Sequence, residues 1–350
     1  MNQDTLTLNK TIGIIFGGRS GEHEVSCMSA ASVIRAMNRE KYDLVFIGIT
    51  REGKWMRYDG PVENIENGSW VHTAVPFSVG NLANEIDFAL PIVHGPYCED
   101  GKLQGLLEMM DIPYGGCGVL ASAAAMDKAI AKDIFIQHGI PVCRHIFVTR
   151  EQVEKSGPQI AMEVEATVGY PCFVKPANMG SSVGISRATD YTTLMAALEE
   201  AVKYDKRIII EESVNCRELE TAVVGNAYPR VGAVGEIVTG SAFYDYKAKY
   251  IDGKSAMCIP ADIPQHLYQE IQQLAIKAYR AIDGEGYARV DFFLDRDTGK
   301  LYINEINTIP GFTKYSMFPL LCKEAGIEYD KLLERIIELG YERYYAKNNG

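Results

Sequence analysis

Apolar residues recur along this chain in two rhythms. Between residues 11 and 94, short and nearly unbroken apolar runs (11–16, 42–50 and 86–94) alternate with stretches of helical period. The segment 24–38 places Val25, Ser29, Val33, Ala36 and Met37 on one face. Apolar strands separated by helices predict a parallel sheet covered on both faces. Residues 51–85 are polar and read as a surface insertion. From about residue 117 an Ala-rich helix runs through Met126-Asp127-Lys128. A strand at 172–176, a Gly/Ser loop and a strand at 184–188 follow. Asp190 caps a helix over 191–204, and 207–212 returns as a strand. Strands at 218–224 and 230–238 lead into an aromatic, Gly-containing stretch at 240–258. A helix over 264–282, strands at 287–294 and 301–307, and a helix over 327–345 complete the chain. No internal repeat is visible. The reading is α/β, in three successive lobes.

Composition narrows the function classes. The 350 residues are 47% hydrophobic and 23% charged, an ordinary globular balance. Lys and Arg total 35 against 46 Asp and Glu, a formal charge of −11. That excess argues against nucleic acid or an anionic membrane as partner, since both need a basic face. Eight cysteines are scattered singly, with no Cys-x-x-Cys pair, and read as reduced thiols used as small apolar residues. With no signal-like N-terminus and no long apolar run, the expected location is cytoplasmic.

Several motifs carry chemistry. Gly17-Gly18-x-x-Gly21 follows a strand and precedes a helix, but the spacing is not that of a dinucleotide fingerprint. Glu22 on that loop is unusual, because an acid there favours an ammonium ligand. Gly95-x5-Gly101-Lys102-Leu103 fails as a P-loop in its spacing and in lacking a metal-binding hydroxyl. Gly180-Ser181-Ser182-Val183-Gly184 matches a nucleophile elbow in letters, yet it joins two strands where that motif needs strand then helix. It reads better as a phosphate cradle, with Lys175 ending the preceding strand and Lys128 as a second cation. Glu211 and Glu212 end an Ile-Ile-Ile strand whose edge would read adenine, and Glu218 would take ribose hydroxyls. The stretch 243–250, FYDYKAKY, reads as a water-excluding lid that brings Lys249 to a phosphate.

The strongest feature is the hairpin 287–307. A five-residue turn at 296–300 puts Asp291 opposite Glu305, with Cβ atoms about 5 Å apart, and Asn307 on the same face as Glu305. An Asp, a Glu and an Asn amide form an oxygen set suited to Mg²⁺ bridging to phosphates. Arg289 beside them would stabilise a transferring phosphoryl group or an oxyanion.

These pieces together resemble the D-alanine–D-alanine ligases of the ATP-grasp superfamily. The stretches are GGRSGEHEVS at 17–26, HGPYCEDGKLQG at 94–105, MDK at 126–128, FVKPANMGSSVG at 173–184, FYDYKAKY at 243–250, ARVD at 288–291 and NEINTIPGFT at 304–313. The resemblance implies a three-domain ATP-grasp architecture: an N-terminal parallel α/β domain (1–116), a central subdomain (117–211) and a C-terminal subdomain (212–350) with a lid near 240–258. It implies ATP and two Mg²⁺ ions (or Mn²⁺), D-alanine as substrate, peptidoglycan precursor synthesis and a homodimer. By position, Glu22 matches the acid that holds the first D-alanine's ammonium, and His94 a histidine near its carboxylate. Lys128 and Lys175 match the α/β-phosphate lysines, Lys249 the γ-phosphate lysine, and Phe243 and Asn304 further nucleotide contacts. Asp291, Glu305 and Asn307 match the ligands of the two metals, Glu305 bridging. Arg289 and the Gly311 amide match the oxyanion stabilisers; Ser181 and Tyr250 link loop and lid to Glu22; Ser316 holds the second carboxylate. Cys98 stands where the family has glycine, and Tyr315, preceded by Lys314, where histidine is common. Tyr250 and the apolar Met317 favour D-alanine as acceptor over D-serine or D-lactate, the nearest alternatives. A non-catalytic nucleotide-binding protein and a Ser182 hydrolase are more distant readings.

Overall fold

In the computed structural model, which describes residues 9–180, 183–238 and 256–348, the chain forms three sheets. The first contains β1 (Lys10–Gly17), β2 (Tyr42–Ile49), β3 (Trp55–Tyr58), β4 (Val75–Pro76) and β5 (Phe88–Pro91), in the order β4-β3-β2-β1-β5. β1 runs parallel to both β2 and β5, as the unbroken apolar runs predict. Its Ile12, Ile14, Ile15 and Phe16 are inaccessible to solvent, which is why this strand takes the middle of the parallel set.

Residues 51–85 are not a surface insertion. They add β3 and β4 to the sheet, antiparallel, and send Tyr58, Ile65, Trp70 and Leu82 into the core. Trp70 lies edge-on to Phe16, ring centroids 5.0 Å apart. It fills space that Gly48 leaves open, where a Cβ would stand 2.3 Å from the indole. Four large buried side chains at irregular spacing leave no periodic signature, which is why a polar average hides them.

The second sheet, all antiparallel, is β6 (His145–Thr149), β7 (Cys172–Pro176), β8 (Ser186–Ala188) and β9 (Arg207–Glu212), in the order β6-β9-β7-β8. The helices Arg150–Thr167 and Tyr191–Ala201 pack with it into one core, each opened by a capping box, Thr149 with Gln152 and Asp190 with Thr193. The first of these helices escapes a periodicity reading because Ser156 breaks it just before Gly157 and Pro158.

The third sheet is also antiparallel: β10 (Cys216–Val224), β11 (Arg230–Val238), β12 (Ala256–Cys258), β13 (Tyr287–Asp295) and β14 (Leu301–Asn307), ordered β12-β11-β10-β13-β14. The helix Gln265–Ala281 shares its core with two helices from before the second sheet. The expected single Ala-rich helix is in fact these two, Val119–Met126 and Lys128–Gln137. Asp127 divides them, its Oδ1 accepting the N–H groups of Ala129 and Ile130 at 3.1 Å. The last helix, Tyr329–Asn348, returns to the first sheet, where Leu332, Ile336 and Ile337 join Ile12, Phe88 and Leu90 in one core. It comes so close that a Cβ on Gly340 would lie 2.5 Å from the Tyr114 carbonyl. Among the described residues the cysteines are unpaired, six of them buried, and no helix is long and apolar enough to cross a membrane.

Trp70→Ala should lower unfolding free energy by about 3–5 kcal/mol, the usual cost of emptying a buried aromatic site. Urea denaturation followed by circular dichroism would read it. A change below about 1 kcal/mol would mean that the segment 51–85 does not support the core.

Candidate active site

The hairpin of β13 and β14 carries the central charges, and its register has an irregularity at the functional position. At the turn Leu294 pairs with Leu301, one residue off the expected register. A bulge between Asp291 and Phe292 restores it, so that Asp291 does face Glu305 and Arg289 faces Asn307. Asn304 is the residue left without a counterpart. Its carbonyl accepts from the Lys132 ammonium at 3.3 Å.

On the other side of Asp291, across β10, stands Glu220. Three carboxylates are thus abreast on three neighbouring strands, and cations separate them. Arg289 Nε lies 2.7 Å from Asp291 Oδ1 and 2.8 Å from Glu220 Oε2, and its Nη2 donates to Asp291 Oδ2 at 2.7 Å. The Asn307 amide donates to the same oxygen at 2.9 Å. Burial alone would weaken the guanidinium's hold on its proton, but Asp291, Glu220 and Glu305 outweigh it and keep Arg289 charged. Lys128, at the start of its helix, holds Nζ 3.4 Å from Glu305 Oε2 and donates to the Met179 carbonyl at 2.8 Å. Asp291, Glu305 and Asn307 offer hard oxygen donors of the kind Mg²⁺ takes. Among the described residues no three His, Cys, Asp or Glu side chains are gathered as a metal cage. The donor set therefore suits an ion that completes its shell with water and phosphate oxygens.

Beside this row lies a second charged group. Glu211, at the end of β9, is 2% exposed. One of its oxygens is 2.5 Å from Lys175 Nζ on β7, and the other 2.6 Å from Lys132 Nζ. Burial would raise the Glu211 carboxyl, yet the two ammonium groups hold it far below the usual carboxylate range. Burial likewise opposes the charge on Lys175, and Glu211 more than restores it. Backbone at Glu211 is flanked on both sides, by β6 at His145 and by β7 at Phe173, so it is not an open strand edge. Glu212 pairs with Arg144 at 2.7 Å, and Glu218 sits on β10 between Ile237 and Phe293.

The first lobe contributes the remaining wall. Glu22 precedes the helix His23–Ala36, and its carboxylate lies against two glycines: a Cβ on Gly95 would be 2.7 Å, and on Gly180 3.0 Å, from Oε2. Neither glycine is replaceable without moving that carboxylate. His94 is buried, with Nδ1 2.9 Å from the Ile309 carbonyl and Nε2 2.9 Å from the Ser29 hydroxyl. A carbonyl only accepts, so Nδ1 carries the hydrogen and Nε2 accepts from Ser29. Burial pushes the imidazole below its ordinary pKa and keeps it neutral. Ser29 also accepts from the Phe312 N–H at 3.3 Å, fixing the loop that carries Gly311. Glu99, which the sequence reading did not single out, faces the same space. Burial, with Glu22 and Glu305 nearby, raises its carboxyl well above the usual range.

Glu22, His94, Lys128, Arg289, Glu305 and Gly311 line one polar cavity of about 70 Å³. Ser316 lies beside it, its Oγ accepting from the Thr313 N–H at 3.1 Å and 3.2 Å from where a Gly311 Cβ would be. Met317 does not line the cavity. It opens the helix Met317–Glu324 and is buried on the third sheet, its sulfur filling the space left by Gly235 on β11. Ser181, Ser182, Phe243, Lys249 and Tyr250, and with them most of the expected lid, fall outside the described residues. β7 and β8 pair antiparallel around the Gly/Ser loop, so no helix follows it and the nucleophile-elbow geometry is missing. Glu99, Lys132 and Glu220 were missed because the groups they meet lie far away in the sequence.

Acids interleaved with lysines and an arginine, opening on a cavity that ends at Glu22, suit a polyphosphate with a divalent cation beside a small zwitterion. The sequence matches two family profiles, described as "D-ala D-ala ligase N-terminus" over residues 11–117 and "D-ala D-ala ligase C-terminus" over residues 134–338. The chain belongs to the D-alanine–D-alanine ligase family. Curated relatives named D-alanine–D-alanine ligase include one from Acetivibrio thermocellus, 45% identical over 96% of each chain. Another, from Bacillus pumilus, is 46% identical over 96% of this chain and 97% of its own. Similar solved structures are the VanG D-Ala:D-Ser ligase from Enterococcus faecalis and the D-alanine-D-alanine ligase from Coxiella burnetii. The first has TM-score 0.86 and 38% identity, covering 95% of this chain and 99% of its own. The second has TM-score 0.85 and 32% identity, covering 97% and 96%. Membership makes the chain an ATP-dependent ligase of the ATP-grasp fold, as its motifs led us to expect.

Glu211 gives a pH test. Its carboxyl is depressed in the folded state, so its stabilisation is complete above the unfolded value near 4.3 and is lost as pH falls toward the folded value. Glu211→Gln should therefore destabilise by about 3–5 kcal/mol at pH 7, with the gap narrowing below about pH 4. Urea unfolding across that range reads it; a gap independent of pH would refute the charge pairing.

Proposed function

We propose that this protein joins two D-alanines to D-alanyl-D-alanine at the expense of ATP, through a D-alanyl phosphate, for peptidoglycan precursors. The observation that carries the reading is the convergence of Arg289, Lys128, Asn307 and Glu305, the acid that faces Asp291, on the cavity that holds Glu22. Glu22 takes the ammonium of the first D-alanine, with Gly95 and Gly180 allowing close approach, while neutral His94 orders the wall near its carboxylate. A carboxylate oxygen attacks the γ-phosphorus, and the bond to the β-phosphate oxygen breaks to release ADP. Lys128 and Lys175 hold the α- and β-phosphates, and Lys249 the γ-phosphate. Asp291, Glu305 and Asn307 would hold two Mg²⁺ ions (or Mn²⁺), whose charge would neutralise the triphosphate. The second D-alanine, its carboxylate at Ser316, gives one ammonium proton to solvent; its amine then attacks the acyl carbon, and the second proton leaves with the phosphate. Arg289 and the Gly311 N–H receive the oxyanion, the C–O bond to phosphate breaks, and inorganic phosphate leaves. Ser181 and Tyr250 tie loop and lid to Glu22, excluding water from the acyl phosphate. Glu212, Glu218, Phe243 and Asn304 surround the nucleoside, while Glu211 acts from behind, through Lys175. A cytoplasmic homodimer completes the proposal.

D-Serine as acceptor is the second reading, favoured by the likeness to a D-Ala:D-Ser ligase. Met317 no longer weighs against it, since that side chain is committed to the core. The preference for D-alanine rests on the curated relatives and on Tyr250.

Incubation with ATP, Mg²⁺ and D-alanine, alone and against D-serine or D-lactate, should yield ADP and D-alanyl-D-alanine as the main products by mass spectrometry. No ADP release with any D-amino acid would overturn the reading. Glu305→Gln should cut kcat by roughly 100-fold or more, while ATP affinity changes only a few-fold.

A further inference from the structure

Among the described residues Lys132 is the least accessible cation of the site, 1% exposed, and too deep to touch a ligand. It lies one turn beyond Lys128 on the helix Lys128–Gln137, so the two project on the same side. Its ammonium meets Glu211 Oε1 at 2.6 Å and the Asn304 carbonyl at 3.3 Å. Glu211 is shared, its other oxygen 2.5 Å from Lys175. One lysine would neutralise one buried carboxylate, and a second buried ammonium carries a desolvation cost. The second lysine is explained if Glu211 must be compensated twice: once to remain charged in the interior, and again so that Lys175 is not fully neutralised. Counting Lys128, Lys132 and Lys175 against Glu211 and Glu305 leaves one positive charge, and of these three lysines only Lys132 is sealed from solvent. The Asn304 carbonyl belongs to the bulge just before Glu305, so Lys132 also ties the phosphate lysine of the second sheet to the metal-binding strand of the third.

We infer that Lys132 is a positioning residue for phosphate binding: by sharing Glu211 with Lys175 it leaves the Lys175 charge available to the nucleotide's phosphates. The inference rests on ATP being the substrate, and it predicts a loss specific to the phosphates. In full-length protein, Lys132→Met should weaken ADP and Mg·ATP binding by about tenfold, measured by calorimetry, one unit charge being removed close to the phosphates. Binding of adenosine, measured by displacement, should not change. Lys132→Arg should keep ADP affinity within about threefold of wild type. Lys132→Met combined with Glu211→Gln, which restores the positive balance, should regain most of the ratio of ADP to adenosine affinity. If Lys132→Met does not fold, Lys132→Gln keeps a donor without the charge and should show the same ADP-specific loss. Unchanged ADP affinity in a folded, uncharged variant, or equal losses for adenosine and ADP, would overturn the inference. Wild-type protein that binds no adenine nucleotide would instead overturn the ATP reading beneath it.

Discussion

Carboxylates on adjacent strands repel, and β10, β13 and β14 put Glu220, Asp291 and Glu305 side by side, about 5 Å from one to the next. The site depends on how this repulsion is answered. Arg289 bridges Glu220 and Asp291 with its planar fork, Asn307 adds an amide, and Lys128 approaches Glu305 from the start of its helix. A guanidinium is suited to the inner place, because it stays charged when buried and binds a carboxylate through two parallel hydrogen bonds. The outer acid, Glu305, is the more exposed and faces the cavity, where a divalent ion and phosphates can share it. A chain with formal charge −11 can hold a triphosphate on these terms, since surface acids are screened over about 10 Å while the partly buried cations are not.

How much of this was legible in the sequence follows from the range of the interactions involved. The hairpin and its facing acids could be read, because strand alternation and turn chemistry are local. Even so, the register came right through two departures, a shifted turn and a compensating bulge, neither visible in the letters. The Asp190 cap was legible for the same reason. The break at Asp127 was not, since the Ala-rich pattern continues on both sides of it. Trp70 and Met317 show the opposite failure: each fills a gap left by a strand glycine elsewhere in the chain, Gly48 and Gly235, and no periodicity announces such a pairing. Glu211 looked like a nucleotide contact because it ends an apolar strand. Only the fold brings Lys132 and Lys175 to its two oxygens from a distant helix and a neighbouring strand. Family resemblance pointed to Glu22, His94, Lys128, Arg289, Glu305 and Gly311, which line the cavity; it passed over Glu99, which lines it too, and Lys132 and Glu220, which hold the others in place.

The last helix has a consequence for how the molecule is made. Tyr329–Asn348 supplies Leu332, Ile336 and Ile337 to the core of a sheet whose strands lie between Lys10 and Pro91. A ribosome completes the N-terminal lobe's strands long before it produces the helix that covers them. Ile12, Phe88 and Leu90 therefore wait, without their final cover, while the rest of the chain emerges. This lobe cannot be finished until residues 329–348 have been made, and its core holds together two stretches of chain made far apart in time.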